Sequence, residues 1–535
     1  MEEIQKYIVS SNDAFDLNMY RPGDHSYVVP EKFPVFKKPF HPRHTYPIFG
    51  EDEAILGYSK LQLDLRFRTT DMKPRFAIKY KEKWKPIGET QPMDVKKMML
   101  DYCPDFDFSE NYPEDIHGPE WRPPGKLVRR WKHATSTYEV WQTTLTDPRA
   151  LEIFRNFQIL IPFFIEGGVI QTTTEDEWTL RRWKLFLAYD VTPFKESDDE
   201  LTNISPYIFA GFATSYRLWV MPCLEVMKTI GALPTQPEST NGNAADLEKS
   251  WKPPAAVINS DGTPNVDSGF DDHKQPSRER ISQFVILPPY QHQSIGSHIY
   301  QAMVRDFLRD ENVFEITVED PNERFDDMRD WNDLVRLSSD PVWQSLSLPE
   351  TIPSDRLKRK DLIPTSILVD QTKAAHLRRK FKISSRQFSR LTEMHLLNTI
   401  PVRHRTPLRI AKKENAPDEN DRKYYFWRML VKERIFYRNC DVLMQLPTRE
   451  EQREKVTQSL NLVQEEYNRI LGKLPDWIEY AKLAEDGGVD EAYANRAEVR
   501  TNRALKRVRI VDDEDEMDED QAPKKSKIYE DEDDD

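Results

Sequence analysis

The stretch from Ser282 to Val318 constrains this chain more than any other. Ser282-Gln283-Phe284-Val285-Ile286-Leu287 has the composition of a buried strand. It runs into Pro288-Pro289-Tyr290 and then a polar turn, Gln291-His292-Gln293-Ser294-Ile295-Gly296. After Gly296 the apolar residues Ile299, Met303, Val304, Phe307 and Leu308 recur at helical spacing. Val313 to Val318 is a second strand, with Phe314, Ile316 and Val318 on one face. Strand, tight turn, helix and strand in succession predict a β-α-β unit.

The rest of the chain predicts an α+β fold around that unit. Its 535 residues exceed one core and predict two to four domains. Residues 1–150 suit a small α/β domain: Leu61 to Phe67 alternates like a half-buried strand, and Phe76 to Tyr80 continues the style. Residues 151–345 hold the β-α-β unit. Here Arg149 to Leu160 predicts a helix and Ile161 to Ile165 an apolar strand. Val169–Thr174, Trp183–Tyr189 and Tyr207–Val220 suit an antiparallel meander. Residues 235–277 are rich in Pro, Ser, Asn, Gly and Asp without apolar periodicity, which predicts a disordered surface insertion. Residues 346–500 predict a helical region, with two helices around Pro447, and residues 501–535 a disordered tail.

The net charge of −14 is local. Val511 to Asp535 carries fourteen acidic residues against three lysines, a net of −11, which leaves the body near −3. That balance argues against direct nucleic-acid binding, which wants a basic face, and permits a basic partner. The three cysteines, Cys103, Cys223 and Cys440, are far apart, and no His or Cys spacing suits a metal, so no metal site is expected. Few cysteines suit a reducing compartment. No apolar run reaches 18 residues and Met1 to Asp13 is polar, so neither a membrane span nor a secretory leader is expected. The expected location is cytoplasm and nucleus.

Three features carry chemistry. The N–H groups at a helix start are unpaired and partly positive, so the Gln291–Gly296 turn suits a phosphate; turn chemistry alone also explains a glycine there. Glu319-Asp320-Pro321 ends the second strand, on the face opposite Phe314, Ile316 and Val318. A carboxylate so placed suits a general base, or is an ordinary acidic loop. Glu166 follows the apolar run Ile161–Ile165 and precedes Gly167-Gly168. Together they fit acyl transfer to an amine: a lysine arrives as ammonium and a carboxylate must take its proton before it attacks.

At these residues the chain resembles the GNAT superfamily of N-acetyltransferases, whose phosphate motif is Gln/Arg-x-x-Gly-x-Gly/Ala. Gln291, Ser294 and Gly296 occupy the three positions, with a serine where a glycine is usual. Within it, the chain is similar to the catalytic subunits of type B histone acetyltransferases. The segments are Phe284–Gln291, Ile316–Pro321, Phe164-Ile165-Glu166 with Trp178, and Tyr46-Pro47-Ile48-Phe49-Gly50 running into Glu51–Tyr58. The resemblance covers roughly residues 40–390. It implies a GNAT fold with a mainly antiparallel mixed sheet. It implies acetyl-CoA held by Phe284, Val285 and Ile286 and by Gln291, His292, Gln293, Ser294, Ile295, Gly296 and Ser297, with Asn322 and Phe325 close by. Glu319 matches the general base, helped by Glu166 and Asp320. Glu51, Asp52, Glu53, Trp178, Tyr216, Arg217 and Leu218 match positions that line a groove for the histone tail. The implied acceptor is the N-terminal tail of newly synthesised histone H4, and the implied partner a WD-repeat histone-binding subunit.

Two other functions fit parts of the sequence. The acidic tail suits a non-catalytic histone chaperone, and the site alone suits an acetyltransferase acting on another amine. The acidic Glu51-Asp52-Glu53 segment favours a basic peptide.

Overall fold

A computed structural model of the chain describes residues 5–21, 35–85, 91–104, 106–110, 117–170, 177–194, 201, 203–219, 271–351, 367–409 and 416–485. The tail at 501–535, most of the expected insertion at 235–277 and Cys223 lie outside the described residues.

Near the N-terminus three strands pair in sequence order, β1 (Phe15–Tyr20), β2 (Gln62–Arg68) and β3 (Pro74–Lys79). β1 is parallel and β3 antiparallel to β2. The alternation in β2 predicts a half-buried strand, but as the middle strand it is buried on both faces. Its polar member Asp64 is only 4% exposed and is matched by Arg66 at 2.8 Å, Lys79 at 3.5 Å and Arg75 at 3.6 Å. Two short helices, α1 (Tyr46–Phe49) and α2 (Val95–Tyr102), pack together beside this sheet.

A second sheet has six strands: β4 (Lys126–His133), β5 (Ser136–Thr144), β6 (Trp183–Asp190), β7 (Ile208–Trp219), β8 (Ser277–Ile286) and β9 (Val313–Val318). They lie side by side in chain order, all antiparallel except β8 and β9, which are parallel. Between β5 and β6 the chain forms α3 (Pro148–Phe157) and α4 (Leu160–Phe164). The expected apolar strand Ile161–Ile165 is therefore mainly helix. Leu160, Ile161, Pro162 and Phe163 are all buried, and an element buried all round shows no apolar period to distinguish strand from helix. Val169 and Ile170, expected in a strand, are in none, and 171–176 lie outside the described residues. The meander is instead completed by the β4–β5 hairpin.

The expected β-α-β unit is present: α5 (Ile295–Arg309) crosses from β8 to the parallel β9 and packs against β5, β6, β8 and β9. Ile295, Ile299, Met303 and Phe307 form its buried stripe. A charged cluster also fixes it to the sheet. Lys184 of β6 reaches Asp306 of α5 at 3.0 Å and Glu279 of β8 at 3.2 Å, and Glu279 is fully buried.

The remaining structure is helical: α6 (Glu323–Ser338), α7 (Gln371–Phe381), α8 (Ser385–Asn398), α9 (Glu419–Arg438) and α10 (Arg449–Glu485). Pro447 does separate two long helices, α9 and α10, with a short helix, Cys440–Leu443, before it. The apolar residues form two clusters. One spans both sheets; the other gathers Trp343, Leu391, Trp427 and Tyr467 of the helical part. α6 belongs to both: Phe325 and Met328 pack on the first cluster, Leu334 and Leu337 lie in the second. No helix among the described residues is long and apolar enough to cross a membrane.

Candidate active site

β8 pairs with β9 only as far as Ile281 opposite Val318, and the last bond runs from the Glu319 N–H to the Ile281 carbonyl at 2.9 Å. β8 continues to Ile286 with β7 on its other side. Its second half, including Phe284, Val285 and Ile286, thus presents one backbone edge without a strand beside it among the described residues. Such an edge is a ready template for an extended amide-bearing ligand. The Gln291 amide donates to the Ile286 carbonyl at 2.9 Å and ties the following turn to the end of the strand.

The turn itself is wound tightly. His292 has φ +63° and Ser294 φ +62°, both left-handed. That conformation costs an L-residue roughly 1–2 kcal/mol and suits glycine, which accounts for the glycine usual at the Ser294 position. Ser294 is the N-cap of α5 but its hydroxyl caps no N–H. Gly296 lies inside the helix, where its missing Cβ matters for packing. A Cβ there would stand 3.0 Å from the Met328 sulfur and 3.6 Å from the Phe284 ring. The first turn of α5 can therefore settle against β8 and α6, with its N–H groups lacking intrahelical acceptors. Gln293 is held from behind: the Tyr138 hydroxyl donates to its oxygen at 2.5 Å, and its amide donates to the Pro289 carbonyl at 3.1 Å. Burial pushes the Tyr138 phenol up to about 12, which keeps it a donor at neutral pH. Ile295 is buried, and Ser297 accepts from Asn332 of α6 at 3.1 Å. Asn322 caps α6 by accepting from the Phe325 N–H at 2.9 Å, and the Phe325 ring meets Phe284 edge-on at 5.1 Å.

Glu319 sits where the two strands part. It is exposed, it accepts a hydrogen bond from the Ser282 hydroxyl at 2.6 Å, and the Arg280 guanidinium lies 4.0 Å away. Arg280 also donates to the Tyr216 hydroxyl at 3.2 Å, and Tyr216 lies against Trp183 with ring centroids 4.9 Å apart. Asp320 follows, exposed, with φ +33°. Glu166 is exposed just after α4, which packs against β8. The next N–H, of Gly167, donates to the Tyr46 hydroxyl at 2.8 Å, so α1 fixes this corner. Among the described residues no hydrogen bond or ion pair joins Glu166 to Glu319 or Asp320.

The residues expected to line an acceptor groove divide. Glu51 and Asp52 are exposed, whereas the Glu53 carboxylate is committed within the fold. It accepts from the Thr45 and Tyr46 N–H groups at 2.6 and 3.0 Å and from Asn12 at 2.6 Å. Partial burial opposes its ionisation, but these bonds outweigh that and hold it below the usual carboxylate range. Tyr216 and Leu218 share one side of β7. Arg217 points the other way, 2% exposed, donating to Asp310 at 2.6 Å and to the His273 carbonyl at 2.8 Å. Trp178 is half-buried under the Arg182 guanidinium, 4.6 Å from its ring, and its Nε1 has no partner among the described residues.

Tyr138, Ser282, Arg280, Tyr46 and Arg43 join the site without having been expected from sequence. Arg43 donates to the Gln291 oxygen at 3.3 Å. Ser282 and Tyr46 lay inside segments already singled out and Arg280 stands two residues before one of them, whereas Tyr138 and Arg43 come from other parts of the chain. Elsewhere, the ligand atoms of His404, Asp418 and Asp421 lie within 4.8 Å of one another. There His404 Nδ1 is 2.7 Å from Asp421, and Arg403 donates to Nε2 at 3.0 Å, so both ring nitrogens are engaged.

Residues 7–166 match a family model described as "Histone acetyl transferase HAT1 N-terminus", and residues 351–400 one described as "Fungal HAT1, C-terminal". The chain is 34% identical to a histone acetyltransferase type B catalytic subunit of Aspergillus oryzae, over 86% of this chain and 85% of the relative. It is 31% identical to the Aspergillus fumigatus protein of the same name, over 97% and 87%, and to that of Neurospora crassa, over 90% of each.

Proposed function

This chain belongs to the family of type B histone acetyltransferase catalytic subunits, and from that premise we infer that it transfers acetyl from acetyl-CoA to lysines of the histone H4 tail, with Glu319 as general base. The observation that carries the site assignment is the parting of β8 from β9 with Glu319 at the fork. The exposed edge of Phe284 to Ile286 suits the amides of pantetheine, and the Gln291–Ser297 turn suits the pyrophosphate. This arrangement supports the reading of a GNAT fold. Asn322 and Phe325 border the same space.

In this reading acetyl-CoA supplies the acetyl group. Glu319, held by Ser282, takes a proton from the lysine ammonium, freeing the nitrogen pair. The amine then attacks the thioester directly in a ternary complex: an N–C bond forms, the C–S bond breaks, and the nitrogen's surplus proton passes to the departing sulfur, so that the coenzyme leaves as thiol. Asp320 and Glu166 add negative charge that draws the substrate ammonium in. Glu51 and Asp52 attract a basic tail, with Trp178, Tyr216 and Leu218 as apolar walls. Glu53 shapes that groove through α1 rather than by contact, and Arg217 does so through β7. The family further suggests a WD-repeat partner and presence in both cytoplasm and nucleus.

The test is incubation of the full chain with acetyl-CoA and a panel of histone-tail peptides, read by mass. Transfer to H4 peptides supports the acceptor; transfer to none of the peptides overturns it. Glu319→Gln is expected to lose most of the rate while still binding acetyl-CoA, and an unchanged rate removes Glu319 as the base.

A further inference from the structure

We propose that the outer edge of β4 seats the acidic run Asp512–Glu516 from the end of the same chain, as an extended neighbour of the strand. β4 ends the six-stranded sheet and pairs with β5 on one side. Among the described residues no strand lies along its other side, so alternate N–H and C=O groups face outward there. A register shift at Val128 interrupts the pairing and leaves Arg129 to His133 as the regular stretch. Trp131 turns towards α5, where its ring stacks on His298 with centroids 4.1 Å apart. Arg129 lies on that same face of the strand, and Arg130 and Lys132 lie on the other. The edge thus carries cations on both faces. Arg130 has Glu139 at 3.5 Å, but that acid is shared: it also accepts from Trp141 Nε1 at 2.8 Å and from the Tyr207 hydroxyl at 2.9 Å. Arg129 and Lys132 have no carboxylate within ion-pair distance among the described residues. Arg305 adds to the same field. It follows His298 by two helical turns on α5, which packs against β4, and the next residue, Asp306, reaches Lys126 of that strand at 3.8 Å. Burial first, and then the charge of Arg305, pull the Arg129 guanidinium down to about 10.

Charge decides what fits such an edge. A second copy of β4 sets like charges opposite one another, and so does a basic histone tail. An acidic extended segment gains backbone bonds along the edge and ion pairs across it. Cations on both faces require acids at successive positions rather than alternate ones. Asp512-Asp513-Glu514-Asp515-Glu516 supplies them without interruption, over the same length as Arg129–His133. The chain is also led to this place. α10 passes α6, stacking Trp477 on Trp331 at 5.6 Å, and brings the Tyr480 hydroxyl within 3.2 Å of His298 Nε2, on the ring that covers Trp131. α10 ends at Glu485, little more than one turn later. From there to Asp512 an extended chain spans up to about 90 Å, so the edge is within reach, and the tether favours seating within one copy. β9, which leads to the fork at Glu319, is the opposite edge of the sheet, five strand spacings or about 24 Å away. The seated run therefore leaves the acetyl-transfer site open.

Amide hydrogen exchange of the full chain, read by mass over β4, tests the seat. A variant combining Asp512→Asn, Asp513→Asn, Glu514→Gln, Asp515→Asn and Glu516→Gln keeps the length and removes the charge. Exchange over Arg129–His133 is expected to be about tenfold faster in it than in wild type, and salt at about 0.5 M should move wild type the same way. Arg130→Glu with Lys132→Glu, both exposed positions, should release the edge equally. Unchanged exchange in the charge-free variant overturns the proposal. So does an equal acceleration in β7, which marks general loosening rather than a vacated edge. Carbodiimide coupling, which joins an amine to a carboxylate in contact, is expected to link Lys132 to residues 512–516 of its own copy. Links between isotopically labelled and unlabelled copies overturn the seat within one chain. Links of the run to an added histone peptide in place of Lys132 overturn it as well.

Discussion

The Ser282 hydroxyl donates to the Glu319 carboxylate at 2.6 Å, across the point where β8 and β9 cease to pair. The bond holds the carboxylate in one orientation at the fork. Ser282→Ala frees it, and the expected result is a several-fold fall in kcat. For Glu319→Gln the fall is about 10²–10⁴-fold, the usual worth of a general base. Calorimetric acetyl-CoA affinity should be unchanged in both. If Ser282→Ala weakens acetyl-CoA binding instead, Ser282 serves the cofactor strand and not the base.

Ser294 occupies a left-handed conformation that a β-branched residue adopts badly. Ser294→Val should destabilise the chain by about 1–2 kcal/mol and raise KM for acetyl-CoA. Ser294→Gly removes the strain but adds freedom to the unfolded chain, so its stability should stay within about 1 kcal/mol of wild type. Thermal unfolding of the pair, with and without CoA, checks both.

Glu53 is a structural acid within an acidic triplet. Glu53→Gln should cost about 1–2 kcal/mol through loss of charge-assisted bonds to Thr45, Tyr46 and Asn12, with the loss visible as a lower Tm. Its folded pKa is depressed, so its contribution is complete above the unfolded value, about 4.3, and disappears as pH falls through the folded one. The Tm gap between wild type and Glu53→Gln should therefore narrow below about pH 4. Glu51→Gln and Asp52→Asn should leave Tm unchanged and weaken histone-peptide binding in a salt-dependent way.

Lys184 compensates the buried Glu279 and tethers Asp306 of α5. Lys184→Met should cost roughly 3–5 kcal/mol, because it strands a carboxylate inside the sheet. Adding Glu279→Gln should recover part of that loss. If the double variant is no more stable than the single one, the ion pair is not the origin of the cost.

The β8–turn–α5–β9 unit was legible because its signals are local: a strand by composition, a helical spacing and one crossover. The β4–β5 hairpin was not. β4 is an edge strand and carries Arg129, Arg130 and Lys132, which mask its period but protect its open edge. The Ile161–Ile165 run reads as a strand because the burial of Ile161, Pro162 and Phe163 together leaves no period that distinguishes helix from strand. The sequence could place Glu53 beside Glu51 and Asp52, but not show that its carboxylate caps residues seven and eight positions earlier and bonds Asn12. Arg217 posed the same difficulty: alternation along β7 separates it from Tyr216, and its partner Asp310 is far off in sequence. Arg43 meets Gln291 only through the fold.

α6 carries one end in each apolar cluster, Phe325 and Met328 in one, Leu334 and Leu337 in the other. It acts as a shared rivet. A fragment ending near residue 345 would keep α6 but strip the covering from its second half, exposing Leu334, Leu337 and Trp343 to water and to one another's copies. The smallest well-behaved version of this enzyme should therefore extend through α10, and a shorter form should be sticky before it is inactive.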